Sequence, residues 1–351
     1  MSISKEKRGQ ILNDLIYEIG KDAYYQEFSV EKFASHHKLS VQSIYRYLDK
    51  LESESIIRKQ KEGKKNNYRL VDKVYDFLFP IENLKEDVVW NKSVKTLMED
   101  FSEVVLRNSY YAFTEMLNNA IDHSEGTKVT IDIRVNPYRI AFHILDDGIG
   151  IFTKIASALN LEEKRFAILE LAKGKFTTAP DNHSGEGIFF SSKAVDLFSI
   201  YSDNLVFASK NYYDEDENND RINEVHIHLK KGTWVSFTIF RNHTTEISEI
   251  MDKYTEYPDG FGFTKTIVPV RLLEYGDATP MFVSRSQAKR LLSRFERFER
   301  IELDFTGVDE IGQGFADEVF RVFEAQHPNT SIIAINCNPR VEKMIKHVSR
   351  R

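Results

Sequence analysis

Glu115-Met116-Leu117-Asn118-Asn119-Ala120-Ile121-Asp122-His123 is the stretch on which the reading of this chain turns. It ends an apolar-periodic run from about Val104, so it reads as the last turns of a helix. Glu115 and Asn119 are four residues apart and share one helical face. Alone, that is a polar face on an amphipathic helix, with His123 a partner for the C-terminal end of the helix dipole. The residues that follow alter the balance. Lys128–Val135 and Arg139–Leu145 alternate apolar and polar, with Asn136-Pro137 near the turn, and read as an antiparallel hairpin. The hairpin runs into Asp146-Asp147-Gly148-Ile149-Gly150-Ile151. Farther on, His183-Ser184-Gly185-Glu186-Gly187-Ile188 opens a second helix, with Val195 and Leu197 on its apolar face. A glycine loop at a helix start offers free N–H groups and the positive end of the dipole to an anion.

None of the three stretches is specific by itself; their order, spacing and placement between elements are. Together they resemble the N, G1 and G2 boxes of the GHKL ATPase superfamily, which holds histidine kinases, anti-sigma-factor serine kinases, type II topoisomerases and mismatch-repair ATPases. The resemblance covers about residues 90–245. It implies an α/β sandwich, an antiparallel or mixed sheet with helices on one face, that binds ATP and Mg²⁺. It also implies that Asn119 ligates Mg²⁺ through its side-chain oxygen. Glu115 would orient or deprotonate a water or a substrate hydroxyl at the γ-phosphate, and Asp146 would accept the adenine amino group. Asp122 and His123 close the first box, with His123 toward the phosphates. Gly148 and Gly150 would let the backbone approach the nucleotide. Ser184, Gly185 and Gly187 would cradle the triphosphate, and Thr233, in a Gly-Thr pair before the last strand, would support the phosphate end. Glu186 stands where relatives often carry leucine and is expected to point away from phosphate. Residues 152–183 would form the ATP lid. There Lys173 or Lys175 would reach a phosphate, the alternative for both being a solvated lysine. His36 and His37 lack the acidic neighbour of a phosphoacceptor helix, so histidine autophosphorylation is not expected. The expected function is an ATP-dependent regulatory switch with slow turnover; phosphotransfer to a partner protein on serine or threonine, and nucleotide sensing without catalysis, are the alternatives.

Residues 1–72 carry 14 Lys and Arg against 11 Asp and Glu, a basic end on a chain of net charge −6. Ile11, Leu12, Leu15, Ile16 and Ile19 recur at helical spacing. Ser29 and Ser40 are placed to cap two further helices, separated by the turn Lys38-Leu39-Ser40. Two short helices about a three-residue turn form the helix-turn-helix pattern. Two strand-like runs about Gly63 follow, and residues 58–69 hold six basic residues and one acid. The segment resembles winged helix-turn-helix domains of bacterial regulators. That resemblance implies double-stranded DNA as a partner, with Gln42, Ser43, Tyr45 and Arg46 at a major groove and Lys59, Lys61, Lys64 and Lys65 on phosphates. A protein–protein module is the alternative. The charge excess is modest, so tight DNA binding is expected to need a dimer or a neighbouring basic surface, and a homodimer is also what GHKL relatives suggest by analogy.

Residues 262–351 alternate strand and helix, with strands at Phe263–Leu273, Ile301–Phe305 and Ser331–Ile335, a capping box at Ser284 to Gln287, and helices near Gly314–Phe323 and Val341–Val348. This order gives a small α/β sheet. The run Leu303 to Asp317 resembles STAS-like domains, relatives of anti-anti-sigma factors, and implies a protein partner. The loop Ile311-Gly312-Gln313-Gly314 carries no hydroxyl at the usual phosphoserine position, and Thr306, the nearest, is read as structural. The expected organisation is a multidomain α/β chain: winged helix 1–75, connector 76–93, GHKL domain 94–245 and STAS-like domain 262–351. A lone cysteine, Cys337, excludes an intrachain disulfide and suits a reducing compartment. No apolar run approaches the ~18–20 residues that span a bilayer, and residues 1–8 are charged without an apolar signal core. A cytoplasmic protein without a membrane segment is expected.

Overall fold

The computed structural model describes residues 5–22, 28–62, 65–176, 185–210, 229, 231–256, 262–273 and 282–349. The first elements are helices α1 (Lys5–Asp22), α2 (Val30–His36) and α3 (Val41–Ser53), then strands β1 (Ile57–Glu62) and β2 (Lys65–Leu70), paired antiparallel. Ser29 Oγ accepts from Lys32 N at the start of α2 and Ser40 Oγ accepts from Ser43 N at the start of α3, so both expected caps form. Ile11, Leu15, Ile19, Phe33, Ile44, Leu48 and Leu51 close a core of their own under β1 and β2. Helix α1 rests on the rim of the next unit: a Cβ on Gly20 would lie 2.3 Å from the Tyr138 ring.

Strand β3 (Lys73–Pro80) corrects the expected connector. The stretch 76–93 holds the end of this strand and then α4 (Glu86–Val89), because β3 pairs along its whole length with β4 (Lys128–Val135). Tyr75, Phe77 and Phe79 pack on the core while Val74, Asp76 and Leu78 face outward. The period of two is therefore genuine, and Pro80 is tolerated because it ends an edge strand. Asp72, at the join of β2 and β3, accepts from Asn136 Nδ2 (2.7 Å) and Arg139 Nη2 (3.1 Å), fixing where the sheet begins.

Helix α5 (Glu103–His123), β4, β5 (Arg139–Asp146), α6 (Ile151–Ala158), α7 (Phe166–Lys173), α8 (Gly187–Ala194), β6 (Leu197–Ser202), β7 (Leu205–Lys210), β8 (Trp234–Phe240) and α9 (Ile247–Lys253) follow. The sheet has six strands in the order β3-β4-β5-β8-β6-β7, every neighbouring pair antiparallel. Ala112, Phe113, Met116, Leu117 and Ala120 form the buried stripe of α5 and belong to one core with Ile131, Phe142 and Ile144 of the sheet. Residues 224–229 (Glu-Val-His-Ile-His-Leu) alternate in the sequence as a strand does, but all except Leu229 lie outside the described residues.

The last unit is a parallel three-stranded sheet in the order β11-β10-β9, built from β9 (Lys265–Pro269), β10 (Arg300–Asp304) and β11 (Ser331–Ile335). Its helices are α10 (Arg285–Leu292), α11 (Gln313–Asp317), α12 (Glu324–Gln326), joined to α11 by a π-turn, and α13 (Pro339–Ser349). The Ser284–Gln287 capping box is present. The expected strand Phe263–Leu273 is shorter: Pro269 ends the ladder and Val270–Leu273 coils into a 3₁₀ turn, as a residue without an N–H requires. Phe189, Tyr254, Phe263 and Phe298 pack in series between this unit and the larger one, so a single apolar core runs through both. Among the described residues no helix is long and apolar enough to cross a membrane.

Candidate nucleotide site

Ser102 caps α5, its Oγ accepting from Val105 N (3.3 Å). From there the helical period brings Glu115, Asn119 and His123 to one face, and all three line a cavity of about 300 Å³. The opposite wall is apolar, with Ile144, Ile155, Leu171, Ile200 and Val235. An apolar slot with a few convergent polar groups is what a planar base and its sugar require.

Asp146 closes one end of the slot. It is 6% exposed, and its Oδ1 accepts from Gly148 N (2.9 Å) and Thr233 N (3.2 Å). Burial raises its carboxyl above the usual carboxylate range, although those N–H groups pull it back. A buried acceptor held at a fixed angle suits an exocyclic amine. Thr233 sits beside Asp146, and its Oγ1 also accepts from Ile151 N (3.0 Å). Gly150 lines the cavity with φ +86°, and a Cβ there would lie 2.5 Å from Ser202 Oγ. Gly148 serves another purpose than the one expected. A Cβ on it would lie 2.0 Å from Ser124 O, so it admits the end of α5 rather than a ligand.

At the other end, Gly185 and Gly187 line the cavity. A Cβ on Gly187 would lie 1.9 Å from Glu115 Oε2, so the glycine lets that carboxylate approach the start of α8, where the dipole favours negative charge. Gly185 O accepts from Phe176 N (3.1 Å), tying the glycine loop to the end of α7. The side-chain Nδ2 of Asn119 is buried without a hydrogen-bond partner. Asn119 lines the cavity and that nitrogen is bonded to nothing among the described residues, so this amide, whose oxygen and nitrogen are assigned from partners alone, is not held to another role. The residues present therefore fit Mg²⁺ held by Asn119.

Other expected site residues lie elsewhere. Asp122 is exposed and does not line the cavity. Lys175 points away from it, its Nζ donating to Arg297 O (3.0 Å). Lys173 is not solvated and does not line the cavity: it is 1% exposed and paired with Glu170 at 2.6 Å. Glu186 is half-buried and outside the lining. Ser184 falls outside the described residues.

Besides the apolar lining, three polar residues at or beside the cavity stood outside the expected set. Ser124 and Lys154 line the cavity mouth, and Lys154 Nζ donates to His123 O (2.7 Å). Asp147 accepts from Thr127 N (2.7 Å) and Lys128 N (3.0 Å), bonds that hold its carboxyl down at about 2 and fix the turn before Gly148. The doubled aspartate was the available signal for Asp147; nothing in the spacing marked Lys154.

In the N-terminal unit Gln42, Tyr45 and Arg46 are exposed on α3, and Lys59 and Lys61 are exposed on β1. Ser43 is instead turned to Ser40, their hydroxyls 2.9 Å apart. Lys64 lies outside the described residues, as does the side chain of Lys65.

Residues 107–242 match the family model described as Histidine kinase-, DNA gyrase B-, and HSP90-like ATPase, and residues 287–342 match the STAS-like domain of unknown function, DUF4325. No curated protein matches the chain. The cavity under α5 thus belongs to an ATP-binding domain of the GHKL type, carried on one chain with a STAS-like domain.

Proposed function

We propose that this chain is an ATP-dependent regulatory switch that binds Mg·ATP, turns it over slowly, and couples the nucleotide state to DNA binding by residues 1–72. The observation that carries the reading is the convergence of Glu115, Asn119 and His123 from one helix face with Asp146, Gly150 and Thr233 on a single cavity. Asp146 selects the base. Asn119 would hold Mg²⁺, which when bound neutralises phosphate charge. Glu115 orients a water for in-line attack on the γ-phosphorus and takes its proton; the bond from the γ-phosphorus to the ADP oxygen breaks and ADP leaves. The capped helices α2 and α3, the tight turn between them and the basic β1–β2 hairpin support a winged helix-turn-helix reading of the N-terminal unit. Exposed Gln42, Tyr45 and Arg46 would meet bases, and Lys59 and Lys61 phosphates.

The test incubates the purified chain with Mg²⁺ and γ-labelled ATP beside Glu115→Ala, following free phosphate and labelled protein together. Phosphate release that depends on Glu115 and leaves no label on protein is the expected result. Label on this chain or on an added partner would make the protein a serine/threonine kinase instead. Nucleotide binding with neither product would reduce it to a sensor.

A further inference from the structure

Between α7 and the STAS-like domain lies a cluster of buried charges that nucleotide chemistry does not use. Glu170 and Lys173, on α7, are 3% and 1% exposed. Lys173 Nζ also donates to Arg290 O (3.2 Å) and Ser293 O (2.9 Å), and Thr266 Oγ1 donates to Lys173 O (2.9 Å). Arg294 completes the cluster, its Nη1 donating to Glu170 Oε2 (2.8 Å). Apolar residues would fill such a seam at lower desolvation cost, and a buried ionic group is better suited to fixing one arrangement.

The backbone on both sides is unusual. Arg294 (φ +67°) and Lys175 (φ +52°) are left-handed without being glycine, a strain that persists only where surroundings over-determine it. The two face each other. Arg294 Nη2 donates to Lys175 O, Arg297 Nη1 donates to the same oxygen (3.2 Å), and Lys175 Nζ returns a bond to Arg297 O. Lys175 also lies 4.8 Å from the Phe298 ring centroid. The residues on either side of Lys175, Gly174 and Phe176, line the nucleotide cavity. Successive residues of one turn therefore alternate between the seam and the cavity.

We propose that Arg294, supplied by the STAS-like domain, is a positioning residue of the nucleotide site: it holds the turn Gly174–Phe176 in place, so that affinity for Mg·ATP depends on the STAS-like domain and bound nucleotide is felt there. This rests on the nucleotide reading above. One guanidinium reaches both Glu170 and the Lys175 carbonyl, whereas the single ammonium of a lysine lacks that fork.

The test is equilibrium binding of a fluorescent ATP analogue with Mg²⁺ to the full chain, comparing the unmodified protein with Arg294→Lys and Arg294→Ala, with thermal unfolding of each measured without nucleotide. The expected result is an Arg294→Lys protein that melts near the unmodified one yet binds the analogue at least about fivefold more weakly, the lower end of ordinary site-to-site coupling. Unmodified affinity in either folded variant overturns the proposal. Hydrogen exchange on the unmodified chain gives a second readout, because coupling is reciprocal. Saturating analogue is expected to slow exchange at Arg294–Arg297, and unchanged exchange there with the analogue bound overturns the proposal. Failure of the unmodified chain to bind the analogue at all would sink the nucleotide reading, and this proposal with it.

Discussion

Asp146, Asn119 and Gly148 show how much a single residue type can be asked to do. Asp146 is buried and already accepts two backbone N–H bonds, so Asp146→Asn preserves shape while replacing one acceptor oxygen by a donor. ATP affinity is expected to fall roughly ten- to a hundredfold, the range for losing a bond to a charged group, with the fold intact by circular dichroism; isothermal titration checks it. Asn119→Ala is expected to remove the Mg²⁺ dependence of ATP binding while sparing binding of adenosine, which separates metal holding from base recognition. Gly148 was legible as a glycine of the G1 box, but its purpose was not. Its missing Cβ makes room for Ser124 O, a contact 24 residues back along the chain. Gly148→Ala is accordingly a stability variant, expected to cost about 1–3 kcal/mol by overpacking in urea denaturation.

At the scale of elements, helix boundaries were readable because caps are local. Ser29, Ser40 and Ser284 all cap where the sequence placed them. Strand β3 was not readable as part of the sheet, since its alternation is set among aromatic residues and its partner lies some 50 residues on. A buried joint pins the end of β8 to α5 and α8. His243 Nδ1 lies 3.0 Å from Asp196 Oδ1, and Asn108 Nδ2, 3.1 Å from the His243 ring, donates to Ala194 O. Burial would lower the His243 pKa, but the Asp196 hydrogen bond and charge outweigh it, and the net direction is upward from 6.5. A raised folded-state pKa means protonated His243 is favoured by folding. That stability is fully present below the unfolded value near 6.5 and is lost as pH rises through the higher folded value. The urea midpoint is expected to fall as pH rises across that window, and His243→Gln to flatten the slope; an unchanged slope in the variant would exclude His243 as its source.

For the whole molecule, a ligand that binds only the folded chain raises its apparent stability. ATP with Mg²⁺ at a hundred times the Kd of the unmodified chain is expected to add about 2.7 kcal/mol, seen as a higher Tm, and only about 0.4–1.4 kcal/mol in Asp146→Asn at the same ATP concentration. The DNA reading makes its own prediction: affinity of the full chain for duplex falls steeply with salt, and charge reversal at Lys59 and Lys61 reduces that slope by about one unit for each phosphate no longer neutralised. A slope unaltered by reversal would remove the hairpin from the interface.

From sequence alone came the three boxes, the capped helices, the hairpin leading into Asp146 and the alternating strands and helices of the C-terminal unit. These depend on periods of 2 and 3.6 and on caps within a few residues, which the order of residues contains. Tertiary structure decided what no local pattern holds. It turned Lys175 away from the cavity, buried Lys173, set Thr233 beside Asp146, made β3 the edge of the sheet and set Arg294 against the Lys175 carbonyl. Each follows from which distant surface packs against a residue, and desolvation and hydrogen-bond partners at such contacts determine where a long charged side chain can rest.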